Sequence, residues 1–170
     1  QVLVRVIEAA TGEKYVAFAE KFVLRPVGMA SSSYLGDDPT TSNQTGDPWL
    51  AGGLQTTCRD LARLGQLFHL QGKWEGKQIF TPEYAAEAKS AQVLTPNYPH
   101  SAYGLLISHL QGGLGHGGFC GQWMQTLASG VTIAAMSTTT SLQESTTPLC
   151  SAQRSAALVS AVIAATHRSF

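Results

Sequence analysis

The chain has 170 residues, 44% of them hydrophobic, enough for one globular domain with a core of its own. Lys plus Arg and Asp plus Glu both total 11, so the formal charge is zero, which speaks against a nucleic-acid or anionic-membrane partner that needs a basic surface. Only 13% of residues are charged, about half the usual share, so some surface is expected to lie under another segment. The most apolar run, Leu158 to Ala165, is far short of the ~20 residues that span a bilayer.

The first residues, Gln1 to Val6, show neither an initiator Met nor a signal-peptide layout and open inside a helical pattern. The chain is therefore expected to be a fragment, a processed product or part of a longer protein. Val2, Leu3, Val6, Ile7 and Ala10 recur at helical spacing, with Gly12 as a stop. A second helix is predicted from about Lys14 to Leu24, burying Val16, Phe18, Ala19 and Phe22 and ended by Pro26 and Gly28. Ser31 to Pro48 reads as a loop.

Thr56-Thr57-Cys58-Arg59-Asp60 supplies a hydroxyl cap with an acid three residues on, leading into Leu61, Leu64, Leu67 and Phe68 on one face and closing at Gly72. Arg59 and Asp60 read as an ordinary first helical turn. Trp74-Glu75-Gly76-Lys77 is a tight turn, and Thr81-Pro82-Glu83 opens a short helix to about Lys89. A loop covers Val93 to Ser101. From Tyr103 the period becomes that of strands: Tyr103 to His109, Gly115 to Cys120, Gln122 to Ser129 and Val131 to Thr138, the last two joined through Ser129-Gly130. Thr147-Pro148 caps a final helix to about His167, with Leu149, Ala152, Ala156, Val159 and Ile163 as its apolar stripe. Helices, then an antiparallel sheet and a closing helix, give an α+β class. The expected division is a helical region over 1–101 and a strand-and-helix region over 102–170, together one incomplete domain.

His69, His100 and His109 show no ligand spacing, and no CxxC occurs, so no metal site or cofactor is expected. Cys58, Cys120 and Cys150 leave two alternatives, one disulfide with a free thiol or three buried thiols. Cys120 lacks a His–Asp partner pattern and is not read as a nucleophile. Asn43-Gln44-Thr45 is a glycosylation triplet that matters only in a secreted protein. The feature that points to chemistry is Gly115-His116-Gly117-Gly118-Phe119. A histidine between glycines on extended backbone marks a place where a ligand can lie along the main chain. Its plainer reading is close strand packing around a structural histidine.

Four segments carry a resemblance. Leu24-Arg25-Pro26-Val27-Gly28-Met29 resembles the "RPLGM" segment of serine β-lactamase-like hydrolases, the group of class C β-lactamases, D,D-peptidases and related esterases. Ala51-Gly52-Gly53-Leu54 through Asp60-Leu61-Ala62-Arg63-Leu64-Gly65 resembles its "AGGL-ST-xDLARFG" segment, and Tyr103-Gly104-Leu105 and Gly115-His116-Gly117-Gly118 resemble its "YGLGW" strand and "GHGG" motif. They occur in the family's order and rough spacing across most of the chain. The family carries three catalytic motifs, S-x-x-K, Y-x-N and K-T-G or H-x-G. Only the third is present, and by resemblance the first two would precede residue 1.

The resemblance implies the C-terminal part of the β-lactamase/transpeptidase-like fold, acting on a small-molecule or peptide substrate without a cofactor. It implies that His116 stands where the family has the lysine of K-T-G, that Gly117 and Gly118 let substrate lie against backbone, and that the Phe119 N–H is an oxyanion donor. A donor of that kind contributes about 3–4 kcal/mol to the transition state. A histidine in place of Lys-Thr-Gly resembles the esterase and amidase branches more than the penicillin-recognising one. The enzyme reading further implies an upstream segment or companion chain bearing the nucleophile, without which this chain is inactive and poorly stable. The rivals are a non-catalytic β-lactamase-like structural or interaction subunit, and a module that binds at His116 without turnover.

Overall fold

The structure, a computed structural model, describes residues 2–35, 48, 50, 53–94, 100–110, 112–118, 122–136 and 152–166. The chain divides into two compact units, Gln1–Arg63 and Leu64–Phe170.

In the first unit, helix α1 (Val2–Thr11) ends where Gly12 turns left-handed at φ +70. The expected stripe is not the buried one. Val4 is buried, whereas Val2, Leu3 and Val6 are exposed. The docked face is set by Glu8, one turn from Val4, whose carboxylate accepts from the Tyr15 N–H at 3.2 Å. Helix α2 (Tyr15–Ala19) runs into a π-helical turn, Glu20–Leu24. Pro26 has no N–H to return to the carbonyl four residues back, and the Arg25 N–H reaches five residues back to Glu20. The extra residue rotates the stripe, so Leu24 is buried and Phe22, expected inside, is exposed.

Gly28, at φ +75, closes this segment. Its N–H bonds Arg25 O at 3.0 Å and the Met29 N–H bonds Leu24 O at 2.8 Å, the paired bonds of a Schellman motif. Val27 and Met29 join Val4, Ala19 and Leu24 in the core. Two short strands, β1 (Ser33–Tyr34) and β2 (Leu54–Gln55), pair antiparallel. Ser33–Tyr34 thus corrects part of the expected loop over 31–48.

Helix α3 (Cys58–His69) begins at Thr57, whose hydroxyl accepts from the Asp60 N–H at 3.2 Å. Cys58 is exposed and free, which removes the three-buried-thiols alternative; Cys120 and Cys150 lie outside the described residues.

In the second unit, β3 (Lys73–Trp74) and β4 (Lys77–Gln78) form a hairpin around Glu75 and Gly76, both at positive φ as a type I′ turn requires. Helix α4 (Pro82–Lys89) starts at Thr81, whose hydroxyl accepts from the Tyr84 N–H at 3.1 Å. Among the described residues the main sheet has the order β10-β9-β8-β7-β6-β5, all antiparallel. The strands are β5 (Val93–Leu94), β6 (His100–Tyr103), β7 (Ser108–Leu110), β8 (Gly113–Gly117), β9 (Trp123–Leu127) and β10 (Thr132–Ala135).

Two expectations are corrected here. Val93–Leu94 is an edge strand, and His100 and Ser101 open β6, so both ends of the expected loop over Val93 to Ser101 are strand. Tyr103 to His109 is two strands, because the chain reverses at Gly104, whose N–H bonds Ile107 O at 2.7 Å, with Leu106 at φ +60. Alternate residues face opposite layers. Leu110, Trp123, Ile133 and Ala135 pack with Val159 and Ile163 of helix α5 (Ala152–Thr166). On the other face α3 approaches through Gly65, where a Cβ would lie 2.8 Å from the Thr126 hydroxyl oxygen. No helix among the described residues is long and apolar enough to cross a membrane.

Candidate active site

Strand β8 carries the glycine-flanked histidine, and its glycines are of two kinds. A Cβ at Gly113 would lie 2.1 Å from Thr126 O, and one at Gly115 would lie 2.0 Å from Met124 O. Both are imposed by the close approach of β9, so packing explains them. Gly117 and Gly118 differ. A Cβ there would meet the Trp123 ring at 3.2 Å and Gln122 Cβ at 3.1 Å, contacts about 1 Å longer than those at 113 and 115. Packing is therefore a weaker reason for glycine at 117 and 118, and a bare main chain beside His116 is the result.

Pairing of β8 with β7 ends at Gly115, opposite Ser108, whereas β9 continues to pair with His116 through Met124 and with Gly117 through Trp123. His116 thus sits where the strand outruns one neighbour, and it is exposed. Its Nδ1 lies 3.5 Å from the Tyr103 hydroxyl, and the two rings are tilted at 57° with centroids 6.0 Å apart. Burial pushes the Tyr103 phenol above its ordinary pKa, keeping it a protonated hydroxyl. The sequence presents Tyr103 only as part of a motif. Its residue-level signal, an aromatic at the end of one strand two strands from a histidine, requires the sheet order to be seen.

Phe119 lies outside the described residues. A cavity of about 300 Å³ lies under the same sheet, lined by Phe68, Leu114, Met124 and Leu127 with His69 and Lys89; His116, Gly117 and Gly118 do not line it. Its lining is mostly apolar, and Lys89 Nζ is engaged with Phe68 O at 3.1 Å. Among the described residues no group of His, Cys, Asp and Glu is placed to hold a metal ion.

No curated protein matches the sequence. Among solved structures, the chain is similar to a protein from Bacteroides dorei described as a beta-lactamase, at 20% identity and a TM-score of 0.60 over 78% of this chain and 47% of that one. It is similar over 78% of its length to a protein from Bacillus anthracis described as a 6-aminohexanoate-dimer hydrolase, at 24% identity and TM-score 0.57, covering 34% of that chain. A penicillin-binding protein from Bacillus halodurans matches at 15% identity and TM-score 0.53, again over 78% of this chain and 48% of its own. The chain spans less than half the length of each, and these likenesses establish the C-terminal part of the β-lactamase/transpeptidase-like fold. The beta-lactamase family model matches residues 1–157, and with the four motifs in order this chain belongs to that family of serine hydrolases.

Proposed function

We propose that this chain supplies the third-motif wall of a serine hydrolase that cleaves an ester, amide or peptide bond through an acyl-enzyme. The observation that carries the reading is the exposed His116 at the end of β8, beside two glycines that packing does not strictly require. Residues 1–170 contain no Ser with Lys three positions later and no Tyr-x-Asn, so the nucleophile and its partners belong to a segment outside them.

In this reading the serine attacks the substrate carbonyl, the developing oxyanion takes the Phe119 N–H as one donor, and the ester or amide bond breaks so that the alcohol or amine leaves with the serine's proton. His116 tunes the electrostatics around the nucleophile and its base and donates to the substrate carbonyl; a histidine can do so whether neutral or charged. Gly117 and Gly118 let the substrate lie flush with the strand. Water then releases the acyl group, and no cofactor takes part.

The test is intact mass spectrometry of the full protein during turnover of a nitrophenyl ester. An acyl adduct on a serine outside residues 1–170 is expected, with His116→Ala slowing its formation by about 10²-fold or more. A protein that forms no adduct, with no Ser-x-x-Lys partner, is instead an interaction subunit.

A further inference from the structure

The contact between Tyr103 and His116 has no part in the proposed chemistry as so far stated. It joins the ends of β6 and β8, with β7 between them, across a sequence separation of 13 residues. We propose that Tyr103 is a positioning residue for His116: its hydroxyl donates to Nδ1 and holds the neutral ring in the tautomer that carries its proton on Nε2. The tautomer assignment rests on the approach of the two side chains and on the protonated phenol, not on the reaction. Its use in catalysis rests on the acyl-transfer reading above.

Three observations carry it. The first is the approach itself, 3.5 Å from oxygen to Nδ1 with the rings tilted rather than stacked. This is the long end of a hydrogen bond. The second is the direction of donation. Burial keeps the phenol protonated, so it has a hydrogen to give, and Nδ1 is the bare acceptor in the assigned tautomer. The third is the asymmetry of anchoring. Tyr103 pairs with Val93 on one side and Ser108 on the other. It is followed by Gly104, where a Cβ would lie 2.1 Å from Ala88 O, so the backbone that carries the phenol is tightly enclosed. His116, in contrast, is exposed at a strand end. A fixed donor beside a more exposed ring is how an outer residue orients an inner one.

A ring held with its proton on Nε2 is an uncharged donor and suits an ester or amide carbonyl better than a free carboxylate, which gains most from a cationic partner.

The experiment is nitrogen-15 NMR of the histidine rings in the full chain, above the imidazole titration range. Three samples are compared: the natural sequence, Tyr103→Phe, and 3-fluorotyrosine at position 103. The natural sequence is expected to show His116 protonated on Nε2 alone. Tyr103→Phe is expected to raise the minor tautomer several-fold. The fluorophenol keeps the shape and is a stronger donor, so it is expected to lower it.

His109 is the control. Its Nε2 lies 2.7 Å from Lys89 O, which can only accept, so its tautomer should stay constant wherever the fold is intact. Equal His116 populations in all three samples overturn the proposal, as does a proton on Nδ1 in the natural sequence. Should Tyr103→Phe unfold, the fluorotyrosine comparison decides. No substrate enters this readout. A tautomer that responds to position 103 while His116→Ala leaves acyl transfer intact overturns the catalytic reading and leaves the Tyr103–His116 link standing.

Discussion

Asp60 is a carboxylate almost wholly removed from water, at 2% exposure. One oxygen accepts from the Ser31 N–H and the Ser32 hydroxyl, both at 2.9 Å; the other meets Arg63 at 2.7 Å, and Arg63 also donates to Gly28 O. Read from the sequence, Asp60 was a first-turn acid favoured by the helix dipole. In the fold it ties the start of α3 to the turn that follows Gly28. Removing it strands two donors and takes the carboxylate from a partly exposed Arg63, so Asp60→Ala is expected to cost about 2 kcal/mol, read as a lowered urea midpoint. Tyr34 is a second residue whose environment only the fold reveals. Burial first, then the bond to the Tyr15 hydroxyl at 3.2 Å, raises its pKa well above that of a free tyrosine. The folded state therefore keeps a proton that the unfolded chain gives up above pH ~10, and stability falls as pH rises past that point. An ultraviolet titration should show Tyr34 ionising late, as Tyr103 also does, and Tyr15→Phe should bring Tyr34 earlier. A Tyr34 that titrates with the exposed tyrosines would refute this.

At the scale of the element, β8 holds glycines that the approach of β9 imposes and one, Gly117, that packing imposes less strictly. Gly115→Ala places a methyl group 2.0 Å from Met124 O, which only a shift of β9 can relieve, and overpacking of this kind costs about 1–3 kcal/mol or more. Gly117→Ala meets only the Trp123 ring at 3.2 Å and is expected to cost less than about 1 kcal/mol. The two variants should separate in assay as well. Thermal unfolding should rank Gly115→Ala far below Gly117→Ala, while the loss of ester turnover in Gly117→Ala should exceed what its small loss of stability explains. Equal melting temperatures would mean that β9 yields more easily than its pairing suggests.

For the molecule as a whole, the sheet among the described residues ends at β5 and β10, and β5 exposes both Val93 and Leu94. Val2, Leu3 and Val6 add an exposed apolar stretch on α1. Open strand edges and apolar patches recruit other chains. The chain is expected to self-associate as its concentration rises, seen as growing mass in light scattering, and Leu94→Lys should reduce the effect. A particle of constant monomer mass over the range would remove the edge from consideration.

By itself the sequence determined the features whose causes lie within a few residues. Thr81 and Thr57 cap helices because their hydroxyls reach N–H groups three residues on, and Gly12, Gly28 and Gly76 take left-handed turns that other residues resist. The motif around His116 was legible in the same way, as was the membership that follows from four motifs in order. The tertiary structure decided what depends on distant partners. It divided Tyr103–His109 at a turn whose signal is a single Leu106 at positive φ, paired Val93–Leu94 with β6, rotated the α2 stripe through a π turn, and buried Asp60. It also set Tyr103 against His116. Local backbone chemistry acts over one turn and can be read along the chain. Sheet register, burial and contacts between strands act across it, and they come into being only when the strands pair.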